Sequence, residues 1–247
     1  MFEPRTSVFV ILFGVFETRS YQLERIDTGD YTEAEYRTFL REIRFINRWI
    51  GDRWALQKSL LKAVEESGLS AFSVLDVGAG SGELLKEVAL FARKRNKAAT
   101  LVGLDLNPLS AESIAAEGQQ FSEIKCVRGD ALDLPFPDGT FDYAICSLFT
   151  HHFKDEGVVD ILKEMNRVSR RGLIVIDLHR EPNAYFWYKV FCFIFRISEL
   201  VRHDGLLSIT RGFQPQELEE LGSTANLSGI NVGKSFPGRV MLTARNS

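Results

Sequence analysis

Val74-Leu75-Asp76-Val77-Gly78-Ala79-Gly80-Ser81-Gly82 is the stretch that decides the fold. An apolar strand runs into a glycine-rich turn, and Glu83 then opens a stretch of helical character. Absent side chains let the backbone approach a ligand closely, and the start of the helix offers N–H groups without intrahelical partners. The spacing is GxGxG, neither the GxGxxG of dinucleotide binders nor the GxxxxGKS/T of phosphate loops. Asp76 stands just ahead of the first glycine. A carboxylate aimed at such a loop repels a pyrophosphate and suits a cation, such as an amino-acid ammonium beside a sulfonium.

Outward from this loop, short β-branched runs alternate with helical stretches. The pattern predicts strands at 73–77, 100–105, 123–127, 141–147 and 172–178, with helices at 83–95, 108–117 and 156–169 between them. This is the signature of a parallel sheet flanked by helices. A helix near 215–222 follows, then two strands near 229–236 and 239–245 joined through Pro237-Gly238, a turn suited to an antiparallel hairpin. The strand ends carry further polar groups. Asp105 closes LVGLD, where an acid can accept both hydroxyls of a ribose. Gly129-Asp130-Ala131 places a carboxylate where it can take an adenine amine proton, and Cys146-Ser147-Leu148 ends the fourth strand.

VLDVGAGSG, the acid of LVGLDLNP, GDALDLPF with FDYAICSLFTHHF, and RGLIVIDLHR occur in this order. Across residues 70–247 the chain resembles the class I S-adenosylmethionine-dependent methyltransferases. The resemblance implies an α/β, Rossmann-like, seven-stranded and mostly parallel sheet with an antiparallel last strand and helices on both faces. It implies S-adenosylmethionine as cofactor, held at Asp76, Gly78, Ala79, Gly80, Asp105, Leu106, Asp130, Ala131 and Ser147. The texture is similar to the small-molecule branch that includes quinone-biosynthesis enzymes. YQLERIDTGDYT and IDLHREPNAYFWY carry a weaker likeness to bacterial methyltransferases associated with type III polyketide synthases. Missing motifs narrow the acceptor. No Asp/Asn-Pro-Pro-aromatic stretch follows the fourth strand to hold a flipped base, Cys146 follows isoleucine rather than proline, and Ser147 stands where metal-dependent catechol enzymes place an acid. No metal is expected.

His151-His152-Phe153 supplies the catalytic candidates. A phenol, with a pKa near 10, must lose its proton, and histidine is suited to take it near neutral pH. His152 is preferred over His151, and a pair that only shapes the cofactor pocket is the competing reading. His179 and Arg180, after the fifth strand, and Tyr185 and Trp187 are candidates for the substrate side, with a scaffold role the preferred reading for His179 and Arg180. Residues 184–197 read AYFWYKVFCFIFRI within an apolar helical insertion at about 182–212. A helix apolar all round must be buried or meet something greasy. Core or dimer packing is one reading; a lid over a hydrophobic substrate tunnel, touching membrane, is the other.

Residues 1–69 are expected to form an N-terminal extension and helical cap, with the methyltransferase domain at 70–247. Phe39, Ile43, Ile46 and Ile50 share one helical face; Arg37, Arg41, Arg44 and Arg48 share the opposite one, within reach of Glu33, Glu35 and Glu42. Gly51-Asp52 breaks this helix, and Leu56, Leu60, Leu61 and Val64 mark a second. Residues 7–16, SVFVILFGVF, are too short to span a bilayer. Of 247 residues 45% are hydrophobic and 26% charged, at net charge −3, which excludes disorder and argues against a nucleic-acid partner. Cys126, Cys146 and Cys192 fit neither a disulfide framework nor zinc spacing, so a reducing cytoplasm is expected, as monomer or homodimer with peripheral membrane contact. The expected reaction is methylation of an oxygen on a hydrophobic phenolic or resorcinol-type small molecule. C-methylation of a quinone or resorcinol ring is the alternative; a nicotinamide oxidoreductase and a non-catalytic cofactor-binding partner are the rivals from other classes.

Overall fold

In the computed structural model, which describes residues 16–49 and 52–246, the chain builds a seven-stranded sheet in the order β3-β2-β1-β4-β5-β7-β6. The strands are β1 (Ala71–Val77), β2 (Ala98–Asp105), β3 (Ile124–Arg128), β4 (Phe141–Ser147), β5 (Ser169–Leu178), β6 (Asn231–Ser235) and β7 (Arg239–Arg245). Pairs among β1 to β5 are parallel, while β7 runs antiparallel to both β5 and β6. The sequence reading of the sheet, its antiparallel strand included, matches this arrangement.

Both faces of the sheet are covered, which is why its strands read as unbroken apolar runs rather than alternating ones. Val74, Leu101, Tyr143, Ile145 and Ile174 face one core with α5 (Glu83–Lys94), α6 (Pro108–Gln120) and a helix made of α3 (Asp52–Leu56), a π-helical turn (Gln57–Leu61) and α4 (Lys62–Glu66). Their strand neighbours Leu75, Ala144, Cys146, Leu173 and Val175 face the other core with α7 (Asp155–Val168) and α10 (Pro215–Thr224). Alternate residues point to opposite faces, so each strand feeds both cores.

The insertion is two helices, α8 (Pro182–Phe195) and α9 (Glu199–Arg211). Arg196 breaks them apart in a left-handed conformation, φ 51°, with the Ile197 N–H closing onto the Cys192 carbonyl at 3.1 Å. The cap, α1 (Arg25–Thr28) and α2 (Glu33–Trp49), lies against them. Ile46 packs with Cys192, Ile197 and Val201, joined by Phe39, Ile43, Tyr188 and Phe191. Glu42 on α2 accepts both the N–H (3.0 Å) and Oγ–H (2.6 Å) of Ser198 at the start of α9. On the other face of α2, Arg37 pairs with Glu33 and Glu112, and Arg44 with Glu83 and Glu117. Cap and insertion thus form one roof. The apolar run at 7–15, Ile50 and Gly51 lie outside the described residues.

Candidate active site

A cavity of about 1330 Å³ lies between this roof and the carboxyl ends of the strands, at β1 and β4, where the strand order reverses. Open α/β sheets bind ligands at that switch point. Its volume exceeds the roughly 300–1,000 Å³ of ordinary small-molecule sites, leaving room for two ligands side by side.

The floor is the glycine loop. Gly78 and Ala79 donate their N–H groups to the Leu104 carbonyl at 2.9 and 3.0 Å, tying the loop to β2. Asp105 accepts from Gly80 N–H at 2.8 Å and Asn107 N–H at 2.9 Å, so one carboxylate fixes the loops after β1 and β2. Gly78 has φ 70°, and a Cβ there would sit 2.3 Å from the Phe149 ring. Phe149 reaches it because Leu148, at the end of β4, adopts φ 51° while its N–H holds the Ile176 carbonyl. Gly80 opens on free space instead, with nothing within 4 Å of a Cβ. Burial pushes the Asp76 carboxyl up to about 8, and the neighbouring Asp105 adds to the rise. Burial also raises Asp105, against the pull of its two N–H donors. A buried acid, Asp76, and a half-buried one, Asp105, on an open glycine backbone suit a ligand with a cation and hydroxyls. The residues therefore fit S-adenosylmethionine, whose ammonium Asp76 could hold and whose ribose Asp105 could hold.

Not all expected contacts line the cavity. Asp76, Gly78, Ala79, Gly80, Asp105, Leu106 and Ser147 do, and the buried Ser147 Oγ has no hydrogen-bond partner among the described residues. Asp130 and Ala131 are not among its lining residues; Asp130 accepts the Leu132 N–H at 2.9 Å, closing its own turn. Tyr36, Asn107 and Ser110 line the cavity unannounced by the sequence, Tyr36 and Ser110 joined by a 2.7 Å hydroxyl pair.

The histidines stand on a 3₁₀ turn (Thr150–His152) after β4, with ring centroids 4.2 Å apart. His151 is buried, and its Nδ1 lies 2.6 Å from Asp177 Oδ1 at the end of β5. Asp177 also accepts from Thr150 Oγ1 (2.6 Å), His151 N–H (3.1 Å) and Leu178 N–H (2.7 Å). Although burial opposes it, His151 and these donors hold the Asp177 carboxyl well below the usual range. A carboxylate against Nδ1 keeps the proton on that nitrogen and leaves Nε2 as acceptor. His152 is held differently: its Nδ1 meets Asp27 at 2.7 Å. Burial lowers its pKa, but Glu24 and Asp27 outweigh burial and the net shift is upward. Asp27 falls correspondingly, burial being outweighed by His152 and Arg211.

The acids facing the histidines come from α1 and its N-cap. Asp204 of α9, itself buried, accepts the N–H groups of Arg25 and Ile26 at 3.1 Å each and so pins the start of α1 over the cavity. Glu24 N–H donates to Asp27 Oδ2 at 3.1 Å. Arg211 joins the Gln22 carbonyl, Asp27 and the His151 carbonyl. Arg19 reaches the same His151 carbonyl as well as Asp155. Among the described residues Glu24, His151 and His152 can each offer a metal-ligand atom within 4.8 Å of the others, but Arg211 Nε, 3.7 Å from Glu24, already brings a cation.

The substrate-side expectations divide. Trp187 lines the cavity. Tyr185 does not; its ring packs edge-on against Phe16 at 5.7 Å. His179, buried, hydrogen-bonds Gln214, and its Nδ1 lies 3.2 Å from the Glu181 carboxylate. Arg180 is fully buried, forked onto Glu217 at 2.6 and 2.9 Å and onto the Gly212 and Phe16 carbonyls. The expectation of acceptor contact is therefore corrected for His179, Arg180 and Tyr185: none lines the cavity, and Arg180 clamps β5 to α10. Asp177, Glu24 and Asp27 are the site residues that sequence reasoning missed. Asp177 had a signal, an acid at a strand's carboxyl end, whereas nothing local marks the other two.

Residues 75–176 match the family described as a methyltransferase domain. The demethylmenaquinone methyltransferase of Bacillus licheniformis is 30% identical over 123 residues, 50% of this chain and 51% of that protein. The chain thus spans about half the length of that curated relative. The structure of a SAM-dependent methyltransferase from Aquifex aeolicus superposes with a TM-score of 0.58 at 17% identity, covering 83% of this chain and 96% of its own. Magnesium protoporphyrin IX methyltransferase from Synechocystis, solved with bound SAM, gives 0.53 at 15%, covering 79% of each chain. The domain match and these neighbours agree with S-adenosylmethionine as the cofactor read from the sequence. Residues 75–176 carry a methyltransferase domain on the class I fold, in a chain that resembles the quinone-biosynthesis methyltransferases.

Proposed function

We propose that this chain methylates an oxygen of a hydrophobic, hydroxylated aromatic small molecule, with His151 as the proton acceptor. The observation that carries the reading is the buried His151–Asp177 pair, whose Nδ1–Oδ1 distance of 2.6 Å leaves Nε2 free at an otherwise largely apolar cavity. S-adenosylmethionine, held by Asp76, the glycine loop and Asp105, supplies an electrophilic methyl on a sulfonium. The chain's own work is alignment, exclusion of water and movement of one proton. His151 Nε2 takes the hydroxyl proton as the acceptor oxygen becomes nucleophilic, and Asp177 stabilises the imidazolium that results. His152, already paired with Asp27, orients its neighbour and keeps the wall polar.

The roof gives the acceptor its apolar half. Trp187, Ile194 and Phe195 line the cavity while remaining half or more exposed, so its mouth is greasy along α8. A lipophilic acceptor would enter there, and contact of α8 with a membrane surface belongs to the same reading. No helix among the described residues is long and apolar enough to cross a membrane. A cytoplasmic setting and a nucleic-acid-free role remain part of the proposal.

C-methylation is the second reading, favoured by the name of the B. licheniformis relative. The same Nε2 would then remove a ring proton after attack. Methyl-labelled S-adenosylmethionine, lipid-extracted host metabolites and product fragmentation test both. Label in an aryl methyl ether, released as methyl iodide by hydriodic acid, supports O-methylation, and label on ring carbon replaces it with the second reading. Normal turnover by His151→Ala would sink the base assignment under either.

A further inference from the structure

We infer that Glu24 binds the acceptor through a second free hydroxyl, so that the chain selects dihydroxylated rings over their ethers and over quinones. The inference rests on the methyl-transfer reading and adds a specificity residue to it.

Glu24 is 2% exposed and lines the cavity, yet its Oε1 has no hydrogen-bond partner among the described residues. The polar groups facing it are His151 Nε2 at 3.8 Å and Arg211 Nε at 3.7 Å, both beyond hydrogen-bond reach. Arg211 balances the carboxylate's charge, but it spends Nε on the His151 carbonyl and Nη1 on the Gln22 carbonyl and Asp27. A buried polar atom left unpaired is costly, and folded proteins seldom keep one without a use. Here the atom faces the nitrogen to which the acceptor must bring its reacting hydroxyl.

The donor arithmetic then constrains the ligand. With the Nδ1 proton committed to Asp177, His151 Nε2 is an acceptor, and Glu24 Oε1 is another beside it. One phenol carries one proton and can satisfy only one of them. A ring with two neighbouring hydroxyls satisfies both. The first donates to Nε2 and loses its proton there, while the second donates to Oε1 and keeps its proton. A quinone carbonyl or a methyl ether has no proton to offer and would set a lone pair against the carboxylate. Sites built to hydrogen-bond a substrate hydroxyl discriminate strongly against analogues lacking it, because their own groups are left unpaired. The product should accordingly carry one new methyl, since its ether oxygen cannot return to face Glu24.

The test compares wild type, E24Q and E24D on alkylated catechol and resorcinol, each beside its monomethyl ether, with kcat and KM measured separately. Wild type should prefer the free diol by about 10²-fold or more in kcat/KM, chiefly through KM. E24Q, whose amide N–H₂ can donate to an ether oxygen, should narrow that preference by about tenfold or reverse it. E24D, which keeps the carboxylate, should retain the preference at lower affinity and guards against a misfolded glutamine variant. An unchanged diol preference in E24Q of unaltered melting temperature would overturn the role of Glu24 while leaving methyl transfer intact. Turnover of no phenol by wild type, with S-adenosylhomocysteine still bound, would overturn the methyl-transfer reading itself. Activity abolished by chelator and restored by zinc or manganese would also overturn the inference, assigning the Glu24, His151 and His152 cluster to a metal instead.

Discussion

Asp76 should make cofactor binding a proton-linked event. In the protein alone, burial and Asp105 raise its carboxyl to about 8, so at pH 7 it is protonated in about nine molecules of ten. An ammonium brought to within about 4–6 Å favours the charged form and lowers such a pKa by about 1–3 units. The bound carboxyl would then titrate between about 5 and 7, and binding at pH 7 should release between about 0.4 and 0.9 proton. Affinity for S-adenosylhomocysteine should rise with pH and level off near 8, the whole climb spanning about 10- to 10³-fold, or about 1.4–4 kcal/mol. Calorimetric titrations in phosphate and in Tris at pH 7 give the proton count from the difference in apparent enthalpy. The same pKa has an opposite consequence for the unliganded fold. The native state binds more protons than the unfolded chain between the ordinary value of 3.8 and about 8, so this group's contribution to stability is lost as pH climbs through that window. Asp76→Asn should abolish the proton release, weaken binding and flatten this stability loss in urea titrations at pH 6 and 9. Buffer-independent enthalpy together with a pH-independent affinity from 6 to 8 would refute the reasoning, because Asp76 would then not face the ammonium.

Four further outcomes are expected. Gly78→Ala drives a Cβ to 2.3 Å from the Phe149 ring at φ 70°, and should cost about 1–3 kcal/mol and weaken S-adenosylhomocysteine binding, read by melting with and without ligand. Asp177→Asn removes the carboxylate that sets the His151 tautomer, and should lower kcat by about 10²-fold or more with cofactor affinity unchanged; equal loss of both would make Asp177 structural. Arg180→Ala leaves Glu217 and two carbonyls without their partner and should destabilise by about 3 kcal/mol in denaturant titration, while KM for the acceptor stays put. Phe193, 86% exposed on α8, should govern lipid contact: Phe193→Asp should reduce co-sedimentation with phosphatidylglycerol vesicles, and unaltered co-sedimentation would move the contact elsewhere.

The parallel strands were legible because each must bury both faces, which leaves runs such as FDYAICS and GLIVIDL with no alternation to misread. The glycine loop and Asp105 were legible for a related reason. A strand's carboxyl end, followed at once by a turn, fixes where its last acid points without help from the rest of the chain. Reasoning from strand ends went wrong one residue further on. Beyond Leu178 the chain bridges His179 to Phe213, and Arg180 bonds the Phe213 carbonyl through its N–H, so its side chain turns toward α10 rather than into the cavity. The aromatic insertion invited a single lid or a core helix. It serves both descriptions, because Cys192 is buried against α2 while Phe193 stands open beside it.

Periodicity, turn chemistry and strand-end acids are local, so the sequence by itself determined the sheet, the helices on its faces and the cofactor-side loops. Which acid holds each histidine, and what else faces the pair, only the tertiary structure decided. His151 is set by an acid 26 residues away and His152 by one 125 residues away, while Glu24 and Asp27 reach the cavity because Asp204, up to 179 residues on, holds the start of their helix. Such couplings are charge pairs and hydrogen bonds between segments that meet only after the roof has closed, and no local pattern in the chain records them.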